Sequence, residues 1–203
     1  MLDKETLQEA VDELIDRDHH LRQVIVKHGY PPLWPRKPGF HTLVKIILEQ
    51  QVSLASAQAA YDKLLERVNH LTPENFIALN DLELKQIGFS RQKIKYCRIL
   101  SESILSSDLD LGELTEYSDE RVMAALTDLK GVGPWTAGIY LLLALRRPDV
   151  WPIGDHALLV SMRDVKHLSR IPSNETAVEI AKAWRPWRSV AARILWHNYL
   201  SER

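Results

Sequence analysis

Asp128-Leu-Lys-Gly-Val-Gly-Pro-Trp-Thr-Ala137 is the stretch whose reading decides the fold. Apolar residues at helical spacing run up to it and resume straight after it, so one helix ends here and another begins at once. Two glycines separated by one residue turn the chain sharply. Glycine tolerates φ > 0 and lets the backbone approach a ligand closely. The N–H groups at the start of the new helix, favoured by its dipole, form an anion site. The same residues also read as a plain corner, with Gly131 and Gly133 only making the turn. A dinucleotide fingerprint is excluded, because the third glycine of G-x-G-x-x-G is missing and no strand precedes the motif.

Outward from this turn, three- and four-residue apolar spacing recurs almost everywhere and no period-2 alternation appears, which predicts an all-α chain. The first helix is expected over residues 3–27. Tyr30-Pro-Pro-Leu-Trp-Pro-Arg-Lys-Pro-Gly39 cannot be helical, since its four prolines remove donors and fix φ; it reads as an extended crossing between lobes. Helices follow over Phe40–Gln50 and Ser53–Val68. Thr72-Pro73-Glu74 opens another with a cap and an N1 proline, Gly88 ends a short one, and Ser90 caps the next. Ser118 caps a helix running to about Asp128. After the turn, helices are expected over Pro134–Leu145, from near Asp155, after Ser173, and from Pro186. No internal repeat or low-complexity tract is visible.

The 203 residues give room for one domain or two small lobes sharing a core. Hydrophobic residues at 45% and charged residues at 26% are ordinary for a soluble globular chain. Lys and Arg total 26 against 27 Asp and Glu, a formal net charge of −1, which excludes a histone-like polycation and, alone, argues mildly against nucleic acid. The single cysteine, Cys97, cannot build a disulfide framework, a thiolate zinc site or a cysteine-held iron–sulfur cluster. No apolar run marks a signal peptide, and Ile139–Leu145 is far too short to span a bilayer. The charge is segregated: residues 1–18 carry −5 and residues 106–120 carry −6. Residues 85–100 supply five bases and no acid, and residues 182–203 five against one Glu, so the basic parts are expected to flank the turn on one face.

Twenty residues after Trp135, within Trp151-Pro-Ile-Gly-Asp-His156, stands Asp155. It lies in a Pro/Gly loop just before an apolar helix, a position that suits a structural N-cap. The hairpin together with this loop aspartate resembles the helix-hairpin-helix superfamily of DNA glycosylases. Three further stretches resemble its alkylation-repair branch, the 3-methyladenine DNA glycosylase II family: Ile46-Ile-Leu-Glu-Gln-Gln-Val-Ser-Leu-Ala-Ser-Ala57, Ile87-Gly-Phe-Ser-Arg-Gln-Lys-Ile94, and Ala183-Trp-Arg-Pro-Trp-Arg-Ser-Val-Ala-Ala192 with Leu195-Trp196. The similarity runs from about residue 40 to the C-terminus. It implies an all-α, two-lobed fold with a DNA-binding cleft between lobes. Residues 1–39 and 147–203 would form one lobe and residues 40–146 the other, ending in the hairpin.

The resemblance implies a monofunctional glycosylase that flips and excises alkylated purines such as 3-methyladenine and 7-methylguanine. Water is the nucleophile and an abasic site the product. The lyase branches place a Schiff-base lysine where this chain has Trp135, and an indole cannot form one. Asp155 matches the catalytic carboxylate. Trp135 and Trp196 match pocket-lining positions, with His156 and Tyr140 as weaker candidates; an indole attracts a cationic, electron-poor purine. Gln51 matches the wedge that props the gap left by the flipped base, with Gln50 ordering that turn. Lys130, Gly131, Val132, Gly133 and Thr136 would hold a DNA phosphate, helped by Arg188 and Ser189. Carbonyls of Thr127, Leu129 and Val132 match a monovalent cation site for sodium or potassium; no cofactor is otherwise implied. The implied partner is duplex DNA with damaged bases, met by a monomer with no membrane involved. Location would be cytoplasmic and nucleoid-associated in a bacterium, nuclear in a eukaryote.

The sequence departs from relatives at Glu49, where glycine is common, and at His156, where the best-known bacterial relative has an aromatic. Both bear on substrate breadth more than on reaction class. Two other readings stay open: a glycosylase for a neutral base such as ethenoadenine, hypoxanthine or uracil, and a non-catalytic helix-hairpin-helix module. The second needs the hairpin but not Asp155, Trp135 and Trp196. A metal or serine hydrolase has no H-E-x-x-H or G-x-S-x-G to support it.

Overall fold

The computed structural model describes residues 1–203, and every regular element in it is helical. It forms two compact units, Met1–Pro35 with Leu141–Arg203, and Arg36–Tyr140. The sequence reading set the boundaries at Gly39 and Arg146. The structure sets them earlier because Arg36 is bound to Glu49 and the Gly39 N–H to the Tyr140 hydroxyl, inside the second unit.

In the first unit, α1 (Lys4–Arg17) and α2 (His19–His28) replace the single helix expected over 3–27. Asp18 breaks it. Its carboxylate accepts the His20 and Leu21 N–H groups as the cap of α2, and also bonds Lys166 Nζ (2.6 Å) and Trp184 Nε1 (2.7 Å). Burial alone would raise the Asp18 pKa, but these bonds outweigh it and hold the carboxyl below the usual carboxylate range. α10 (His156–Val165), α11 (Asn174–Ala181) and α12 (Arg188–Ser201) complete the unit. α12 is buried on nearly every side, from Ser189 through Leu195, and packs against α1, α2 and α10. A helix apolar all round belongs at the centre of its unit. It begins two residues after Pro186, because the Trp187 N–H is taken by the Trp184 carbonyl (2.7 Å).

The second unit holds α3 (Phe40–Glu49), α4 (Leu54–Val68), α5 (Pro73–Ala78), α6 (Asp81–Ile87), α7 (Arg91–Leu105), α8 (Asp119–Thr127) and α9 (Pro134–Ile139). α3 is its centre, apolar over most of its length and packed on α4, α7 and α9. Asn80 splits the stretch between Thr72 and Gly88 into two helices through a capping box with Glu83. Ser53, Thr72, Ser90 and Ser118 cap their helices through their hydroxyls. Cys97 is fully buried in α7, where burial pushes its thiol pKa up and leaves it a small apolar filler. The helix expected over Pro134–Leu145 changes at Tyr140 to a π-helical turn, Tyr140–Ala144, within which the unit boundary falls.

Candidate active site

The hairpin between α8 and α9 uses its two glycines for different reasons. Gly131 has φ +98, and a Cβ there would lie 2.1 Å from Cγ of Tyr96, whose ring is laid against the bare backbone. Gly133 has φ −92, which any residue adopts, and a Cβ there would meet nothing within 4 Å. Nothing within the chain demands glycine at 133; the space in front of it is open to a ligand. α9 starts here with no side-chain cap and with Pro134, which has no N–H, at its first position. Val132 and Thr136 are buried and anchor the turn, and Lys130 is exposed at its tip. The turn closes through Leu129 N–H to the Leu126 carbonyl and Val132 N–H to the Leu129 carbonyl.

A second turn, between α3 and α4, is tied to the hairpin. Gln50 Nε2 donates to the Gly131 carbonyl (2.9 Å) and to Thr136 Oγ1 (2.9 Å). Lys93 of α7 donates to the Leu48 carbonyl (2.7 Å) at the end of α3, and burial lowers its pKa. Glu49 and Arg36 form a two-pronged ion pair at 2.9 and 2.7 Å. On this braced base Gln51 is exposed with φ +56. Gln51, matched to the wedge, points outward, and Gln50 orders the turn through the hairpin backbone, as expected. Val52 and Leu54, 46% and 62% exposed, extend the tip as an apolar surface. Sequence reasoning missed them because Leu54 shares the helical phase of the buried Ala57, Tyr61 and Leu64.

In the first unit, Gly154 at φ +87 turns the loop into α10. Asp155 caps α10. Its Oδ1 accepts the Leu158 N–H (3.0 Å) and the indole N–H of Trp196 on α12 (3.2 Å). Asp155 and Trp196 are both partly exposed. The Trp196 ring meets that of Trp34 edge-to-face, centroids 6.5 Å apart at 70°. Sequence reasoning did not single out Trp34. Its signal was a large aromatic in a proline-rich stretch with no helix face to pack on, but its partner cannot be read from spacing.

Trp135 is partly exposed in the first turn of α9, and His156 is exposed beside Asp155 at the start of α10. Tyr140, expected at the pocket, is fully buried, with its hydroxyl accepting the Gly39 N–H (3.0 Å); burial raises its pKa. It is a core residue. Ser189, expected to meet DNA, is also fully buried, bonded to Val150 N–H (2.9 Å) and the Val150 carbonyl (3.2 Å). Arg188 is spent on Asp149, donating to Oδ1 at 2.8 Å, to Oδ2 at 2.9 Å and to the Asp149 carbonyl at 2.8 Å. Arg193 is wholly buried. The basic C-terminal segment therefore offers fewer cations to a ligand than its charge count suggests. In residues 85–100, Lys85, Arg91 and Lys95 stay exposed.

The family model described as HhH-GPD superfamily base excision DNA repair protein matches residues 44–187. The chain is 26% identical over 186 residues to YfjP of Bacillus subtilis, covering 88% of this chain and 65% of that relative; it thus spans just under two thirds of that relative's length. The structure of 3-methyladenine DNA glycosylase from Schizosaccharomyces pombe in complex with abasic DNA is similar with a TM-score of 0.87 and 25% identity, over 93% of this chain and 95% of that one. The DNA-3-methyladenine glycosidase of Bacillus halodurans is similar with a TM-score of 0.77 and 30% identity, over 96% of this chain and 91% of that one.

Proposed function

Because the chain belongs to the HhH-GPD superfamily of base excision DNA repair proteins, we propose that it is a monofunctional DNA glycosylase. Its substrates are alkylated purines in duplex DNA, such as 3-methyladenine and 7-methylguanine, and its product is an abasic site. The observation that carries this reading is Asp155. A single carboxylate oxygen is held by the Leu158 N–H and the Trp196 indole N–H at a partly exposed helix start. The names of the relatives support the substrate class.

The target base is stacked in the duplex, so it must be flipped out. Gln51 and its apolar neighbours fill the gap. The hairpin N–H groups and Lys130 grip a backbone phosphate without reading sequence. As the bond from C1′ to the base nitrogen breaks, its electron pair goes to the cationic base, which leaves neutral and needs little protonation. C1′ becomes oxocarbenium-like. Asp155 stabilises that charge and orients a water, whose oxygen bonds C1′ and whose proton passes to the carboxylate or to solvent. Trp196, bonded to Asp155, offers a flat indole face to the electron-poor base. Trp135 has no amine to attack C1′, so no lyase step follows. One chain supplies all of these groups, and the protein acts as a monomer.

The hairpin turn also suits a weakly held monovalent cation. The Leu129 carbonyl accepts only the Val132 N–H within the turn, leaving a lone pair, and oxygen-only donors fit a hard ion. Thr127, Leu129 and Val132 carbonyls would hold it, adding positive charge near the phosphate.

Incubating the protein with duplexes carrying 3-methyladenine, 7-methylguanine, hypoxanthine or uracil, and identifying the free base, tests the reading. The methylated purines are expected to be released, and Asp155→Asn is expected to slow release by roughly 10²–10⁴ while DNA binding persists. Release by the variant at the wild-type rate would remove Asp155 from the chemistry.

A further inference from the structure

We propose that Trp34 is a wall of the base-binding site, held for that task in a strained backbone conformation, and that it helps set which bases are excised. The inference rests on the glycosylase reading above. Trp34 has φ +46. Left-handed backbone is a genuine outlier for a bulky side chain. The next residue is Pro35, and the residue before a proline favours extended backbone. Such a conformation persists only when its surroundings over-determine it, and it collects at ligand-binding positions.

The over-determination comes from Arg193. This side chain is wholly buried in the centre of α12. Its Nε donates to the Leu33 carbonyl (3.0 Å), Nη1 to the Ser189 carbonyl (3.1 Å) and Nη2 to the Leu142 carbonyl (2.8 Å). Burial pushes its pKa down to about 10. Three rigid donors of one guanidinium thus tie the peptide just before Trp34 to α12 and to the π-helical turn, where regular i→i−4 bonding is interrupted. A buried cation is costly to keep and needs its donors satisfied; here they are satisfied by carbonyls at the position the strain requires.

The strained backbone sets the indole against Trp196, and the Trp196 N–H is on Asp155. Trp34, Trp196 and Asp155 therefore form one continuous row, each partly exposed. Two indoles at 70° leave a flat face and an adjacent edge beside the carboxylate, a corner suited to a planar purine whose sugar carbon must lie next to Asp155. Arg193 acts only through Trp34 and is a positioning residue.

The test uses the full chain and three variants, Trp34→Phe, Trp34→Gly and Trp34→Asn. Glycine and asparagine accept the left-handed backbone, so they remove the ring without forcing the loop to move. Single-turnover release of 7-methylguanine and hypoxanthine is measured beside thermal denaturation and binding to a duplex with a tetrahydrofuran abasic analogue, which has no base. Trp34→Gly and Trp34→Asn are expected to lose roughly 10- to 100-fold in base release, the scale of one stacking platform. Their melting temperature and abasic-duplex affinity should stay near wild type, and Trp34→Phe should recover most of the rate. Arg193→Lys keeps the charge but not the three-way fork, and is expected to lower release with abasic-duplex binding retained. Wild-type release by Trp34→Gly overturns the proposal, as does a parallel loss of abasic-duplex binding, which would make Trp34 structural. Failure of the wild type to release any base would instead overturn the glycosylase reading, and this inference with it.

Discussion

Alanine at each hairpin glycine should separate folding from binding. At Gly131 the left-handed backbone costs a residue with a Cβ roughly 1–2 kcal/mol. The new Cβ, 2.1 Å from Tyr96 Cγ, must displace a ring whose hydroxyl accepts from Gln92 Nε2; such overpacking costs about 1–3 kcal/mol. Gly131→Ala is therefore expected to lose about 2–5 kcal/mol, a melting shift of about 5–15 °C for a chain of this size. Gly133 has φ −92 and empty space before it, so Gly133→Ala should fold within about 0.5 kcal/mol of wild type. Its methyl group, however, fills the place where a phosphate would meet the hairpin N–H groups. Loss of one charge-assisted hydrogen bond, about 1.5–3 kcal/mol, weakens binding by about 10- to 150-fold. Urea or thermal denaturation reads the first effect; fluorescence anisotropy with an abasic-analogue duplex reads the second. Wild-type DNA affinity for Gly133→Ala would refute the phosphate role, and wild-type stability for Gly131→Ala would refute the packing against Tyr96.

Four further outcomes are expected. Lys130→Ala should reduce the slope of log K against log salt by about 0.9, one phosphate contact, as seen in a salt titration of duplex binding. Gln51→Ala should leave stability unchanged but slow base release, whereas Gln50→Leu, which strips two hydrogen bonds from the hairpin, should lower stability by about 1–3 kcal/mol; urea melts beside a release assay separate them. Asp155→Asn keeps the cap, since asparagine caps as well as aspartate, while Asp155→Ala should lose about a further 1 kcal/mol of stability, read by thermal melts. Asp18→Asn keeps its cap but loses the charge facing Lys166, so it should cost about 3 kcal/mol at pH 7. Because the folded Asp18 pKa is lowered, its contribution is present above the unfolded value of 3.8 and lost as pH falls through the folded value below it. The gap between wild type and Asp18→Asn in urea melts should therefore narrow as pH falls below 3.8, and a gap that does not narrow on acidification would contradict the pairing.

The fold was legible where local chemistry decides. Thr72, Ser90, Ser118, Asp155 and Ser173 are helix caps in the structure as in the sequence, because a capping side chain bonds a backbone two or three residues away. Asp18 was missed although it is the same kind of residue, since apolar spacing continues unbroken across it and its other partners, Lys166 and Trp184, lie 148 and 166 residues on. Charge counting failed for a related reason. Arg188, placed at DNA, and Arg193, Lys93 and Arg98, counted in the basic segments, are each committed to a carboxylate or carbonyl within their own unit. A sequence shows that a cation is present; only its partners show whether its charge is spent. Tyr140 is the converse, a plausible pocket residue by position whose hydroxyl serves a turn at Gly39.

Asp155 shows why the structural and chemical readings of one residue need not compete. As a cap it would be unremarkable, and a cap fixes its side chain by a bond to the backbone of its own helix. Here the capping oxygen also receives the Trp196 N–H from a different helix, so the carboxylate is located by two elements rather than one. Catalysis by a charged group depends on its being oriented before the charge it stabilises appears. The bond that makes Asp155 look merely structural in the sequence is thus half of what holds it in place for chemistry. The other half comes from the Trp196 indole N–H, which meets the same oxygen from α12.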